Sequence, residues 1–153
     1  MRYARFLLSK ITAQNIKDLG FLQALFSVMA ADETAFTALI TAVISDKSLE
    51  LQGRIGTTAY DDATVPRATY VKLAEKYLAA AEMVQRRINI VLGTRGGTGD
   101  PPDTRSEQQQ RKDYLDQAEV WIAKVAQSVT TDPSADFACG ALVTSHFGDD
   151  TTS

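Results

Sequence analysis

The chain is poor in the residues that most often carry chemistry. It holds one cysteine, Cys139, and one histidine, His146, in 153 residues. A lone cysteine excludes an internal disulfide, and a lone histidine with no second ligand beside it argues against a zinc or di-metal centre. No metal and no cofactor is expected. Charge of one sign is also lacking: 16 Lys and Arg against 19 Asp and Glu leave a formal net charge of -3. No global pull toward nucleic acid or acidic lipid follows from such a balance. Long apolar runs are missing too. The longest, LGFLQALFSVMAA, spans 13 residues, where a bilayer crossing needs about 20. It is expected to be a buried helix or packed segment. The N-terminal MRYARFLLSKITAQ is too broken by charge for a secretory signal, so synthesis inside the cell and no membrane contact are expected.

What is present is helical pattern. A hydrophobic share of 44% is enough for one ordinary core. The first long helix is expected over residues 32 to 53, with Asp32 as N-cap and Phe36, Leu39, Ile40, Val43 and Ile44 forming one apolar stripe. A second opens at Pro66, where a missing N–H costs nothing, and runs to about Leu92, before Gly93. Tyr70, Leu73, Tyr77, Ala81, Val84, Ile88 and Val91 recur along it at steps of three or four. Ala79, Ala80 and Ala81 would let a neighbouring helix approach closely, with Glu82 and Arg86 paired on the outside. A third begins at TRSE, where Thr104 and Glu107 have capping-box spacing, and carries Leu115, Ala118, Trp121, Ile122, Val125 and Val129.

A shorter amphipathic piece precedes these helices, at about residues 12 to 19. The expected fold class is therefore all-α: a small bundle of three long helices and a short N-terminal one, with extended arms at both ends. The helical domain should cover residues 1 to 131, and an irregular C-terminal arm residues 132 to 153. The core should be lined by Leu39, Ile40, Val43, Leu73, Tyr77, Val84, Leu115, Trp121, Ile122 and Val125.

The loops decide little chemistry. GTRGGTGDPPD, at residues 93 to 103, holds four glycines, but a phosphate cradle needs a preceding buried strand and a lysine with Ser or Thr. A helix end precedes it and Asp100 sits within it, so it is a joint, with Arg95 left as a contact for a partner's phosphate or carboxylate. IGTTAYDDATVP is rich in turn formers and is expected to be a surface loop. Its Tyr60, Asp61 and Asp62 are candidate partner contacts. Cys139 lies in DFACGAL, whose apolar neighbours suit a small buried hydrophobe better than an activated thiolate. No catalytic constellation stands out.

The order of these elements resembles the head-to-tail adaptor (connector, head-completion) proteins of tailed bacteriophages, over residues 12 to 130. The resemblance rests on the acidic helix start at Asp32 and Glu33, the Pro66 opening, LAEKYLAAAE, and YLDQAEVWIAKVA. It implies a non-enzymatic virion protein that forms a ring with itself, twelve-fold in such families, in the neck between head and tail. Its partners would be the portal protein and the next tail or stopper protein, with DNA passing through unbound. An acidic chain suits a channel that DNA must cross without sticking.

Beyond the resemblance, the terminal arms carry Tyr3, Phe6, Leu7, Leu8, Phe137, Leu142, Val143 and Phe147 outside any helix. Apolar arms are expected to be buried in the working state, and Phe137, Leu142 and Phe147 are candidate subunit contacts. Two other classes share these features: a free-standing helical binding module, and a small enzyme using Cys139, His146 and a carboxylate.

Overall fold

The computed structural model describes residues 9–94 and 102–130, and in them the chain is all-α. After a short helix α1 (Ala13–Lys17) and a 3-10 turn (Gln23–Phe26) come α2 (Glu33–Ile55), α3 (Thr57–Asp61), α4 (Arg67–Thr94) and α5 (Arg105–Thr130). Local signals explain the boundaries. Asp32 caps α2 by accepting the Ala35 N–H at 2.7 Å, one of the donors a helix start leaves unpaired. At the other end Gly56 adopts φ +86°, and its N–H donates to the Gln52 carbonyl at 2.9 Å. A side chain there would be strained, so glycine sets the break between α2 and α3. Pro66 stands just ahead of α4, its carbonyl accepting the Tyr70 N–H at 3.1 Å.

Helix α4 is the centre of the fold, with α5 on one side and α2 on the other. Pairs of residues give the directions. Arg87 meets Glu107, Tyr77 meets Tyr114, Tyr70 stacks on Trp121 and Arg67 reaches Ser128, so α5 runs antiparallel to α4. The Gly/Pro segment between them is the joint of this hairpin, and residues 95–101 within it lie outside the described residues. On the other side Lys47 pairs with Glu82 at 3.7 Å and Ser48 bonds Glu75; Phe36 and Ile40 cluster with Val84 and Ile88 whereas Leu51 clusters with Val71 and Ala74, so α2 is antiparallel to α4 as well. Arg54 on α2 closes onto Glu119 of α5 at 2.7 Å.

Two apolar clusters hold the three long helices together. One gathers Ile11, Ile16, Phe21 and Phe26 over Phe36, Ile40 and Val43 of α2 and Met83, Val84 and Ile88 of α4. The other joins Leu51, Tyr60, Val71, Ala74, Leu78, Ala118 and Val125. Ile40, Val43, Val84 and Val125 are core residues as the pattern predicts. Leu39, Tyr77, Leu115, Trp121 and Ile122 are half-buried, packed on the flanks of the clusters. Leu73 is a correction: it is half-buried and outside both clusters. The predicted stripe meets α5 at Tyr70, on Trp121, and at Tyr77, on Tyr114, while its Val84 and Ile88 join the cluster shared with α2; a second set, Val71, Ala74, Leu78, Ala79 and Met83, is buried beside it. A helix packed on two sides buries two stripes, and Glu75 interrupts the second in the sequence. Among the described residues no helix is long and apolar enough to cross a membrane.

Candidate docking surfaces

The segment expected to be a surface loop is mostly exposed, but Ala59 and Tyr60 within it turn inward. The turn at Gly56 starts α3, which buries Ala59 and Tyr60 against Val71 and Leu78. Tyr60 is 1% exposed, so it offers no ring to a partner, and the reading of it as a surface contact is corrected. Its hydroxyl donates to Glu75 at 2.7 Å, which satisfies the polar tip that burial would otherwise leave unpaired. Burial, first of all, pushes that hydroxyl well above the ordinary tyrosine pKa. Removal of GTTAYDDAT would thus extract a core side chain.

The two neighbouring aspartates differ. Asp62 accepts the Thr64 N–H at 2.8 Å and pairs with Arg67. The hydrogen bonds from Thr64, aided by Arg67, hold its carboxyl below the usual range. Arg67 in turn reaches the Ser128 hydroxyl at 3.1 Å and the Ser128 carbonyl at 2.7 Å, so Asp62 serves to tie the start of α4 to the last turn of α5. Asp61 has a half-exposed side chain, with Lys10 Nζ at 3.6 Å. That ammonium also lies 4.8 Å from the centre of the Tyr60 ring. Of the three loop residues, Asp61 alone is placed to meet a partner.

Between the two apolar clusters sits a polar layer that the sequence pattern conceals. Glu75 is fully buried. Its carboxyl oxygens accept the Ser48 hydroxyl at 2.8 Å, the Tyr60 hydroxyl at 2.7 Å and the Lys10 N–H at 3.1 and 3.2 Å. Three segments of chain converge on this one side chain of α4. A buried acceptor group is tolerated only when such donors surround it, and the arrangement fixes where the chain entering α1 crosses the bundle. The signal in the sequence is a glutamate in phase with Val71, Leu78 and Ala79, on a face where an exposed charge has no place.

The clearest outward-facing surface lies at LGFLQALFSVMAA, a further correction. This segment is neither a buried helix nor wholly packed. Phe21 and Phe26 are buried, Phe26 stacking on Phe36 with ring centres 5.3 Å apart. Between and beyond these anchors Leu22 is 62%, Leu25 40%, Val28 70% and Met29 48% exposed. A 3-10 turn of four residues has too little surface facing the core to bury every apolar side chain it carries. Single exposed apolar residues such as Leu49 or Val120 are ordinary, but four within eight residues make a patch of the kind that marks an interaction site.

Arg95, Phe137, Leu142 and Phe147, together with Cys139 and His146, lie outside the described residues. Among the described residues no three of His, Cys, Asp or Glu are grouped where they could hold a metal ion. Comparison of the chain with family models, with curated proteins and with solved structures gives no match.

Proposed function

We propose that this chain is a structural ring subunit of the head-to-tail adaptor kind, assembling with copies of itself beneath a phage portal and joining it to the next tail or stopper protein. The observation that carries the reading is the apolar surface at Leu22, Leu25, Val28 and Met29, held outward by the buried anchors Phe21 and Phe26. A subunit that closes a ring must present a patch to a different patch on its neighbour, and each copy therefore keeps apolar area that its own fold leaves uncovered. The order of helices and the LAEKYLAAAE and YLDQAEVWIAKVA segments, which resemble adaptor proteins, supply the identity of the ring. In this role the protein carries no catalytic group, works in the neck of the virion, and lets DNA pass without binding it. Native mass measurement tests the reading: the protein, alone or with portal rings, should give a closed oligomer, twelve-fold by the resemblance. A monomer or dimer at every concentration and with every portal tried would overturn it in favour of a free-standing helical module.

A further inference from the structure

The segment ahead of α2 is built twice, residues 11–19 and 21–29 following the same course ten positions apart. Ile11 and Phe21 are buried, as are Ile16 and Phe26. Thr12 and Leu22 hold extended backbone, with φ -113° and -107°, and each stands at the start of a short helical turn. The Thr12 carbonyl accepts the Asn15 N–H at 3.0 Å, and the Leu22 carbonyl accepts the Leu25 N–H at 3.1 Å. The Ile16 and Phe26 carbonyls likewise accept the Leu19 and Met29 N–H at 3.0 and 2.8 Å. What the outward positions carry differs. In the first unit they are Thr12, Gln14, Asn15 and Asp18, and they bond one another: the Asn15 side chain accepts the Thr12 N–H at 2.9 Å, and Gln14 donates to Asp18 at 2.7 Å. In the second they are Leu22, Ala24, Leu25 and Val28, whose side chains can make neither bond. The fold therefore accepts polar, mutually bonded residues at these positions, and leucine is a poor choice at the start of a helical turn. Folding does not explain the apolar set. Met29 is a separate case, because its counterpart Leu19 is apolar as well.

We propose that Leu22, Leu25 and Val28 are the residues that determine the contact between neighbouring copies of this chain, an inference that rests on the ring reading. Area favours a second copy over a free partner. At roughly 150–200 Å² for a large side chain, the exposed fractions of Leu22, Leu25, Val28 and Met29 leave about 400 Å² uncovered. A stable pairwise complex takes about 800 Å² from each partner. In a closed ring a smaller contact suffices, because each subunit is held on two sides and the loss of one contact does not release it. The face should therefore give monomers and closed rings, with few dimers between them.

The test moves the outward side of the first unit onto the second in the full-length chain: Leu22→Thr, Ala24→Gln, Leu25→Asn and Val28→Asp together. All four positions are exposed. Thermal midpoint and helix content of the dilute, monomeric protein should equal or exceed those of the wild type, since the substitutions supply bonds that the first unit makes. By native mass, the concentration needed for assembly should rise at least about tenfold, because an apolar contact must now bury polar groups and a charge. Rings that assemble unchanged would overturn the proposal and leave the ring reading standing. A lowered midpoint would also overturn it, by showing that these residues serve the fold. Dimers or open chains of the wild type that the variant abolishes would overturn the ring and leave the contact standing. Wild-type protein that stays monomeric at every concentration, alone and with portal rings, would overturn both.

Discussion

The Tyr60 hydroxyl reaches Glu75 at 2.7 Å with both residues inside the fold, 1% and 0% exposed. The pair holds α3 to α4, and through Ser48 and the Lys10 N–H the same carboxyl ties α2 and the chain before α1 to the bundle. Removing the acceptor leaves the buried Tyr60 hydroxyl and the part-buried Lys10 N–H without this partner and opens a cavity, while the Ser48 hydroxyl keeps the Ile44 carbonyl at 2.7 Å. Glu75→Ala should therefore lower stability by about 2–5 kcal/mol. Tyr60→Phe withdraws one donor and should cost about 1–3 kcal/mol. Chemical denaturation of both variants measures this. A cost for Glu75→Ala no greater than for a surface glutamate such as Glu50 would show that the polar layer contributes nothing to stability.

Burial raises the Tyr60 pKa, and the sign of the pH effect follows. The folded chain keeps that proton where the unfolded chain loses it, so the stabilisation is present in full below the unfolded tyrosine value of about 10 and is lost as pH rises beyond it. Denaturation midpoints should fall from about pH 10 upward, and the fall should be shallower in Tyr60→Phe. In a spectrophotometric titration one of the five tyrosines should resist ionisation until the helices melt. Five tyrosines ionising together in the folded protein would contradict this.

Local and periodic signals were legible in the sequence, and their limits are physical. Asp32, Pro66 and the Tyr70 to Ile88 stripe announce helices because caps and 3.6-residue spacing act within one element. The second buried stripe of α4 stayed hidden because Glu75 sits in it, and a buried carboxyl is explained only by donors 27, 15 and 65 residues away. Tyr60 was misplaced for a related reason: α3 has five residues, fewer than two turns, and shows no period. The apolar run before α2 misled in the opposite way. Its hydrophobicity suggested burial, yet an aperiodic segment anchored at Phe21 and Phe26 turns the residues between and beyond them outward.

The two faces of α4 give a paired comparison. Leu78 is 3% exposed inside the cluster with Leu51, Tyr60 and Val71, whereas Leu73 is half-buried outside it. Leu78→Ala should cost about 2–5 kcal/mol, and Leu73→Ala markedly less, because a partly exposed site loses less transfer energy and leaves no closed cavity. Equal costs in parallel thermal unfolding would mean that Leu73 packs more tightly than its exposure implies.

Arg67 bonds Asp62, the Ser128 hydroxyl and the Ser128 carbonyl through separate nitrogens. A planar fork is needed for this, and lysine cannot reproduce it. Arg67→Lys should therefore cost nearly as much as Arg67→Ala, about 1–2 kcal/mol for a partly buried cluster. The loss should appear locally, as faster hydrogen exchange in the last turn of α5 with the Tyr77 and Tyr114 region unchanged. Full protection of that turn in Arg67→Lys would show that the charge alone suffices.

The surface at Leu22, Leu25, Val28 and Met29 separates folding from assembly. Val28 is 70% and Leu22 62% exposed, so replacing either by glutamate removes no core contact, and surface changes of this kind usually alter stability by within about 0.5 kcal/mol. If the patch meets a neighbouring subunit, the same change places a charge in an apolar contact without a partner, where the penalty is several-fold larger. Val28→Glu and Leu22→Glu should then keep the thermal midpoint and helix content of the isolated chain while shifting the native mass from ring to monomer. Phe26→Ala, which removes a buried anchor, should instead lower the midpoint as well. Rings that form normally with glutamate at both positions 22 and 28 would remove this patch from the interface, and the contact between subunits would have to be sought elsewhere on the helices.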